Sequence, residues 1–384
     1  MPKNTYTLID MFAGCGGLSL GMEQAGFTSI FFNEIMPVFA STYLANRNME
    51  EGHYYIGDIN ELNSHIDEYS HIWAGQDDGV DVVCGGPPCQ GFSMANRQRV
   101  IDDPRNHLYK AYLTFLQHVK PKFFVMENVR GMFQRIEEIK QDFQSFLGQD
   151  YKYDCRLYNA KDFGVPQNRE RLIFIGNRVG IEPTRIFEKI ESFKRKPFVL
   201  RDALEGLPHL ESRPEKNKGE LEDIRYGLTV RDFTYPDTPF YHFINGDRII
   251  TKLYNHKNRY NNPRDIEIFR RLPQGANSLH ESIRDIMPYG RRNDIFKDKY
   301  FKLQEDQVCK TITSHMKFDC NMYIHPWEAR GLSPRESARI QSFPDDYVIQ
   351  GAQNQWYAQI GNAVPVKLAE AIGKSIMFFI NEPS

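Results

Sequence analysis

Five short apolar runs, each of six to eight residues, constrain the fold of this chain more than any other feature of its sequence. Apolar runs of this length, bounded by turn-forming residues, are typical of strands buried on both faces of a parallel sheet. Segments with helical spacing, at 18–26 and 107–119, alternate with these runs. The alternation predicts an α/β fold with a doubly wound, parallel sheet. The runs are TYTLIDM (5–11), SIFFNE (29–34), VDVVCGG (80–86), KFFVMENV (122–129) and RLIFIGN (171–177).

The length and composition indicate a protein of the cytoplasm with a large α/β domain and a smaller one. The chain has 384 residues, and no run of 18 apolar residues or secretory signal is visible in it. Its six cysteines are scattered and form no CxxC pair, so we expect reduced thiols. The spacing of Cys309, His315, Cys320 and His325 fits no usual zinc pattern, and we expect no metal.

Charge is spread unevenly along the chain. The net charge of −2 excludes a uniformly basic coat for nucleic acid, yet residues 248–302 contain 13 Lys and Arg against six Asp and Glu. Seven aromatic residues interrupt the same window. Basic side chains interleaved with aromatic ones suit a polyphosphate backbone with exposed bases, and they also suit an ordinary solvated surface.

A glycine-rich turn, DMFAGCGGLSLG (10–21), follows the first apolar run. Its glycines allow a ligand to approach the backbone, but their spacing is not the GxGxxG of a dinucleotide site. Glu34 ends the second run, where a carboxylate can bind both hydroxyls of a ribose. Asp58 follows a predicted third strand and could meet an adenine amino group. Together they predict a nucleoside with a small charged tail, such as S-adenosylmethionine, although either acid alone is better explained as a helix cap or a solvated side chain.

Cys89 stands after two prolines at the end of the third run, in GGPPCQGFS. Pro87 and Pro88 have a fixed φ and stiffen the chain, which would present the sulfur at the ligand-binding edge of the sheet. The polar, basic segment 90–106 then resembles a flap that could close over a substrate. Cys84, inside the strand, is by contrast expected to be a small buried apolar residue.

An acid and two arginines are predicted near the same edge. Glu127 ends the fourth run and could donate a proton while a thiolate attacks a ring. Arg169 and Arg171, in PQNRERLIFIG, share one face if that segment is a strand. Arginines beside an apolar run need an anion, an acid or a polar base edge as a partner, so they could also simply support Glu127.

In this order, the motifs resemble those of DNA (cytosine-5)-methyltransferases of the bacterial restriction–modification type. The resemblance covers nearly all of residues 5–180 and 309–378. The Pro-Pro-Cys-Gln and Gln-Asn-Arg-Glu-Arg elements are its most specific parts. The matching motifs are DMFAGCGG, NE, GDI, GGPPCQGFS, MENVRGM, GVPQNRERLIFIG, LSPRESARIQSFPDDY and QIGNAVP.

The resemblance implies a Rossmann-like sheet that binds S-adenosylmethionine and methylates C5 of a flipped-out cytosine. Cys89 would add to C6, Glu127 would hold or protonate N3, and Arg171 would contact the O2 side with Arg169 in support. No metal is implied. The residues that would line the cofactor pocket are Phe12, Gly14, Gly16, Gly17, Glu34, Asp58, Leu108, Asn362 and Val364.

The resemblance also implies two domains and a DNA partner. The catalytic domain would be discontinuous (1–180 plus 325–384), with a smaller, irregular target-recognition domain between its parts (181–324). Arg335 and Arg339 would brace the two domains. We expect a monomer acting on double-stranded DNA near the nucleoid, with a cognate restriction endonuclease possible in the same system and no contact with it implied. The implied DNA contacts are Ser93, Arg97, Lys257, Arg259, Arg291, Arg292, Thr311 and Thr313.

Three other functions are compatible with parts of the sequence. A tRNA cytosine-5 methyltransferase would share the fold and mechanism, but typically differs just after the Gln of the cysteine motif, where this chain has Gly91-Phe92-Ser93. An NAD-dependent oxidoreductase would leave the Pro-Pro-Cys element unexplained. An inactive DNA-binding protein would have no need of Cys89 and Glu127. The sequence does not reveal which DNA site is recognised.

Overall fold

The chain folds into two compact units, each continuous in space but not in sequence. The first unit contains residues 1–164, 169–196 and 363–384, and the second contains residues 165–168 and 197–362. A computed structural model describes residues 5–76, 79–88, 108–216, 221–288 and 299–382.

The first unit is built on a seven-stranded, mostly parallel sheet of order β3-β2-β1-β4-β5-β8-β6. The predicted α/β architecture is confirmed, with one correction. The run RLIFIGN was predicted to be a parallel strand, but β8 is antiparallel to both β5 and β6. A strand buried on both faces is apolar throughout whatever its direction, so the pattern could not distinguish the two. The strands are β1 (Tyr6–Met11), β2 (Phe27–Glu34), β3 (Tyr54–Ile56), β4 (Val82–Gly85), β5 (Phe123–Val129), β6 (Lys152–Asn159) and β8 (Glu170–Asn177).

Helices cover the sheet and close its core. Ile9, Val83 and Phe124 of the strands are buried in the same cluster as Tyr112 and Leu116 of α5. The Tyr112 hydroxyl donates to the backbone carbonyls of β4 and β5 at 3.0 Å each, which satisfies its polar group inside the core. The helices of this unit are α1 (Gly17–Gln24), α2 (Pro37–Ala45), α3 (Ile59–Ser64), α4 (Ser70–Ala74), α5 (Leu108–Val119), α6 (Ile136–Leu147), α7 (Pro183–Glu191) and α13 (Val366–Ile380).

The end of the chain returns to the first unit, as predicted for the final helix. α13 packs against α1, and the approach is so close that a β-carbon at Gly21 would lie 2.3 Å from the Val366 carbonyl oxygen. Within the described residues, no helix is both long and apolar enough to cross a membrane.

The second unit has small sheets and short helices around separate apolar clusters. β9 and β10 form an antiparallel pair, and β7 pairs in parallel with β11. Ser333 caps α11 with Pro334 at its first position and Glu336 completing a capping box, which confirms that prediction. The elements are β7 (Gln167–Asn168), α8 (Leu200–Leu204), β9 (Gly227–Asp232), α9 (Pro239–Asn245), β10 (Lys252–Lys257), α10 (Pro263–Arg271), β11 (Cys309–Lys310), α11 (Pro334–Ile340) and α12 (Gln353–Asn362).

The chain re-enters the first unit at Ala363, later than the predicted residue 325, because α11 belongs to the second unit. Its two buried arginines are bonded there. Arg335 Nε donates to the Tyr254 carbonyl at 2.7 Å, and Arg339 Nε is 2.6 Å from Asp345 Oδ1. The arginines expected to brace two domains therefore brace α11 inside one unit.

Candidate active site

The glycine-rich turn after β1 has positive φ angles at three residues, a conformation that residues other than glycine rarely adopt. Phe12, Gly14 and Gly16 have φ values of 56°, 57° and 79°, in the left-handed region. For glycine this conformation has little cost, whereas for Phe12 it costs on the order of 1 kcal/mol. Strain of this kind tends to be kept where a ligand or substrate requires the shape, so the turn is a candidate binding element.

Glu34, at the carboxyl end of β2, is bonded to this turn. Its Oε2 accepts from the Gly14 amide and its Oε1 accepts from the Met36 amide, both at 2.8 Å. Burial raises the pKa of Glu34, and the two amide hydrogen bonds oppose that rise. Each carboxylate oxygen has a second lone pair, so both can still accept a hydroxyl. A β-carbon on Gly14 would meet no described atom within 4 Å, so there is open space beside the turn.

Asp58 and two apolar side chains lie near the adjoining strand ends. Asp58 follows β3, and its Oδ1 accepts from the backbone and side-chain amides of Asn60, at 2.7 and 2.9 Å. It therefore caps α3, the alternative that the sequence left open. Ile35 and Met36 follow Glu34 and are 57% and 46% exposed. These apolar residues were not predicted as site residues; their only signal in the sequence was their position after Glu34.

The carboxyl ends of β4 and β5 lie side by side, and β4 is the neighbour of β1, the strand that the glycine-rich turn follows. A β-carbon on Gly86 would come within 3.2 Å of Glu127 Oε2, and buried Asn128 donates to the Pro87 carbonyl at 3.0 Å. Asn128 was not predicted as a site residue, although a polar amide side chain next to Glu127 at the end of an apolar run was a visible signal in the sequence. The structure thus fixes the Pro-Pro segment against the strand that carries Glu127. Cys89, Ser93 and Arg97 lie outside the described residues.

Glu127 and Arg171 form a nearly buried ion pair on the neighbouring strands β5 and β8. Arg171 Nε lies 2.5 Å from Glu127 Oε1, with side chains 13% and 11% exposed. Burial lowers the pKa of Arg171, and the Glu127 carboxylate counteracts that shift. A buried pair of this kind holds the carboxyl group in a defined place at the sheet edge.

Arg169 does not share the position of Arg171. It precedes β8, it is 1% exposed, and its Nη2 donates to the Ala363 carbonyl at 2.9 Å. That bond fixes the backbone next to Val364, which is buried in the same unit. Two arginines predicted to lie on one strand face therefore have different partners, because the strand begins only at Glu170.

The remaining predicted cofactor residues fall in both units. Leu108, at the start of α5, packs half-buried against the same apolar core as Phe12. Gly17 is the first residue of α1, directly after the turn. Asn362 ends α12 and belongs to the second unit, whereas Val364 belongs to the first.

Two predicted DNA contacts, Lys257 and Arg259, have partners within the second unit. Lys257 is 1% exposed and its Nζ lies 2.7 Å from Glu222 Oε1. Arg259 donates to the carbonyls of Met316 and Phe318 at 2.7 and 2.8 Å. Lys257 is buried against an acid and is therefore not accessible to a phosphate. The DNA contact of the half-buried Arg259 stays a prediction. Arg291 and Arg292 lie outside the described residues.

Thr311 and Thr313 follow β11, which pairs with β7 of the Gln-Asn-Arg-Glu-Arg segment. The Thr311 hydroxyl donates to the Asn168 carbonyl at 2.7 Å, and Thr313 Oγ1 is 3.3 Å from the Tyr323 hydroxyl. The two motifs, far apart in sequence, are therefore adjacent within the second unit.

Comparison with known proteins identifies the family to which these motifs belong. The family model of C-5 cytosine-specific DNA methylases matches residues 6–377. The chain belongs to this family. The enzyme class predicted from the motifs, a DNA (cytosine-5)-methyltransferase, is thereby confirmed.

Several known members of the family are similar over most of their length. The Type II methyltransferase M1.HphI of Haemophilus parahaemolyticus is 33% identical, over 97% of this chain and 87% of its own. The Type II methyltransferase M.DdeI of Desulfomicrobium norvegicum is 31% identical, over 97% and 88%. A crystal structure described as a DNA modification methyltransferase encoded within an Escherichia coli prophage has a TM-score of 0.75 at 25% identity, over 98% and 100%.

One buried acid in the family's first motif was not predicted as important. Asp10 is 1% exposed, and burial raises its pKa to about 7. The Cys84 thiol donates to its Oδ1 at 3.5 Å, so Cys84 is buried as predicted but has a polar partner. The sequence did contain a signal for Asp10, because an aspartate within the apolar run TYTLIDM was to be expected in a buried position.

Proposed function

We propose that this enzyme transfers a methyl group from S-adenosylmethionine to C5 of a cytosine flipped out of double-stranded DNA, through a covalent Cys89–C6 adduct. One observation carries the proposal. The Gly14–Glu34 bond, the Pro87 segment and the Glu127–Arg171 pair all lie at one edge of the sheet, formed by the carboxyl ends of β1, β2, β4 and β5 and by the amino end of the antiparallel β8. Ligands of such folds bind at the edge that holds the carboxyl ends of the parallel strands.

The residues at β1 and β2 fit the nucleoside part of this cofactor. Glu34 has a lone pair on each oxygen for the two ribose hydroxyls, and the open space beside Gly14 leaves room for the ligand. The exposed side chains of Ile35 and Met36 would offer an apolar surface to the adenine, and Asp58 would accept from its amino group. When bound, S-adenosylmethionine supplies an activated methyl group, so the protein needs no metal for this step.

The residues at β4 and β5 would act on the pyrimidine. The Cys89 thiolate would form a bond to C6 while Glu127, held by Arg171, gives N3 a proton that it has taken up from solvent, which makes C5 nucleophilic. After C5 gains its methyl group it would lose its proton to water, the S–C6 bond would break to restore the thiolate, and N3 would return its proton to Glu127. Cys89 follows Gly86 by three residues, a reach of at most about 11 Å, and Gly86 lies against Glu127.

The target base must leave the duplex for this chemistry, because its ring carbons are inaccessible in the stack. We assign DNA binding to the second unit and the chemistry on the flipped base to the first. Relatives named as Type II methyltransferases support a role in a restriction–modification system, with a cognate endonuclease as the companion activity.

Methyl transfer to plasmid DNA and to tRNA, followed by bisulfite sequencing, tests the function. We expect 5-methylcytosine at one recurring site in duplex DNA and none in tRNA. Transfer to tRNA alone would contradict the choice of substrate. Methylated DNA with the mark elsewhere than C5 would contradict the chemistry.

The Cys89→Ser variant tests the nucleophile. We expect methylation to fall by at least about 1000-fold, because a hydroxyl is a far weaker nucleophile than a thiolate. Oligonucleotides with 5-fluorocytosine should trap a covalent complex with the wild type and none with this variant. The matched control is Cys155→Ser, a half-buried thiol on β6. Substantial turnover by Cys89→Ser, or no adduct with the wild type, would exclude the mechanism.

A further inference from the structure

Arg47, which follows α2, has its guanidinium buried beneath the glycine-rich turn. Its side chain is 7% exposed, and its Nε lies 2.8 Å from Glu23 Oε1. Its Nη2 donates to the Gly16 carbonyl at 3.1 Å and to the Ser19 hydroxyl at 3.2 Å. The guanidinium carbon lies 3.9 Å from the centroid of the Tyr43 ring. One side chain thus contacts the turn, the first turn of α1 and its last turn.

No side chain among the described residues caps the start of α1, and the Gly16 carbonyl is held by the Arg47 guanidinium and by the Ser19 hydroxyl, which donates to it at 3.3 Å. Gly16 is the N-cap residue, and its left-handed backbone directs its carbonyl toward both Leu20 N, at 2.9 Å, and the guanidinium. The packing there is tight. A β-carbon on Gly16 would lie 2.7 Å from Arg47 Nη1 and 2.9 Å from Tyr43 Cδ2.

The same turn is tied to the strand side by backbone bonds. Ala13 N donates to the Asn33 carbonyl at 2.9 Å, and Gly16 N donates to the Ala13 carbonyl at 2.8 Å. Between these bonds lies Gly14, whose amide donates to Glu34. Any rotation of the Gly16 peptide would therefore disturb the geometry of the carboxylate that we assign to the ribose.

We propose that Arg47 is a positioning residue for the cofactor site, which holds the glycine-rich turn in the shape that binds S-adenosylmethionine. The inference rests on the proposed function. A guanidinium is suited to the task because its planar fork reaches three acceptors in fixed directions, whereas an ammonium is a point charge. Arg47 touches neither the methyl group nor the pyrimidine in this role.

The test compares Arg47→Lys with the wild type by calorimetric titration of S-adenosylmethionine and S-adenosylhomocysteine. We expect both ligands to bind roughly tenfold more weakly or worse, because the charge is kept but the fork is lost. In steady-state assays the KM for S-adenosylmethionine should rise while the KM for DNA stays within about twofold. Glu23→Gln, which loosens Arg47 from the far side of α1, should weaken binding in the same direction by a smaller factor.

Arg156→Lys is the matched control. Arg156 also pairs with a glutamate, Glu191 at 3.0 Å, and also lies over an aromatic ring, that of Phe187, but on β6. We expect unchanged affinity for both ligands. Thermal unfolding midpoints of Arg47→Lys and Arg156→Lys should be similar, which separates positioning from loss of fold.

The outcomes distinguish this inference from the function on which it rests. Wild type that binds S-adenosylmethionine while Arg47→Lys binds it equally well would overturn the role of Arg47 alone. A rise of both KM values together, or weakened binding that only follows a lowered unfolding midpoint, would also overturn it. Wild type that binds no S-adenosylmethionine would overturn the proposed function, and the inference with it.

Discussion

Single side chains at the strand ends differ in what they can contribute to catalysis. Glu127 is held by a counter-ion in the same sheet, which suits the role we propose for it, since a group that protonates a ring nitrogen needs a fixed position. Asp10, by contrast, is enclosed at the end of β1 with Oδ2 lacking a hydrogen-bond partner among the described residues. An acid in such surroundings is neutral over much of the range in which a free aspartate is charged.

The pKa of Asp10 makes stability depend on pH. Burial raises it from 3.8 to about 7, while the groups facing it, Ser19, Arg47 and Cys84, oppose the rise and Glu23 adds to it. Between these pH values the folded chain binds the extra proton, so its free energy of unfolding must fall as pH increases. Relative to Asp10→Asn, the wild type should lose on the order of 4 kcal/mol between about pH 4 and pH 8.

Denaturant unfolding of the two proteins at several pH values measures this difference directly. Because every other titrating group is common to both, subtraction removes their contribution. If the difference in unfolding free energy between wild type and variant does not change with pH, Asp10 ionises as freely in the folded chain as in the unfolded one. If the wild type instead gains stability relative to the variant as pH increases, Asp10 ionises more freely in the folded chain. Either result would contradict the prediction.

At the scale of elements, α11 holds the second unit together. Arg330 bonds to Glu336 with Nη1 at 2.8 Å and Nη2 at 2.6 Å, and the Ser333 cap is also 2.9 Å from His256 Nδ1 on β10. The capping box therefore also makes tertiary contacts. It joins the start of α11 to β10 and to the buried Arg330–Glu336 ion pair, all within the second unit.

Ser333→Ala should destabilise the protein by about 2 kcal/mol. The variant loses the cap on Glu336 N, worth about 1 kcal/mol, and also leaves His256 without that partner. Thr238→Ala is the matched control, since Thr238 caps α9 by accepting from Tyr241 N at 3.2 Å. We expect it to lose only about 1 kcal/mol. Equal losses in chemical denaturation would contradict a role for His256.

On the scale of the whole molecule, the basic window divides into internal and external charges. Lys257 is internal, whereas Arg264 and Arg284 are exposed and have no ion-pair partner among the described residues. Phosphate binding requires cations that are both accessible and free of an acidic partner. We therefore expect the exposed arginines to supply the electrostatic part of DNA binding.

Replacing Arg264 and Arg284 by alanine should weaken binding to DNA of any sequence. The slope of log affinity against log salt should become shallower by roughly one for each phosphate that the variant no longer neutralises. The control pair is Lys120 and Arg178 of the first unit, exposed at the edge of the sheet where β5 begins and β8 ends; there Arg178 N donates to the Lys122 carbonyl at 3.0 Å. A slope that changes in the control but not in the test pair would place the DNA elsewhere.

Local pattern was sufficient for the main strands of the sheet, for the start of α11 and for the family. The apolar runs predicted the sheet, the Ser-Pro-x-Glu signal predicted the start of α11, and the motif order predicted the family. Each of these depends on neighbours in sequence, so that strand propensity, helix capping and family motifs are visible in short segments.

Tertiary structure alone decided the direction of β8, the partners of Lys257 and Arg259, and the unit to which α11 belongs. It also brought Arg47 beneath Gly16, across 31 positions of sequence. These outcomes depend on which surfaces are buried against each other. The sequence around an arginine does not show whether its side chain will contact a phosphate or a backbone carbonyl. Long-range burial therefore determined the partners of these charged residues, while local sequence determined where the main strands and turns lie.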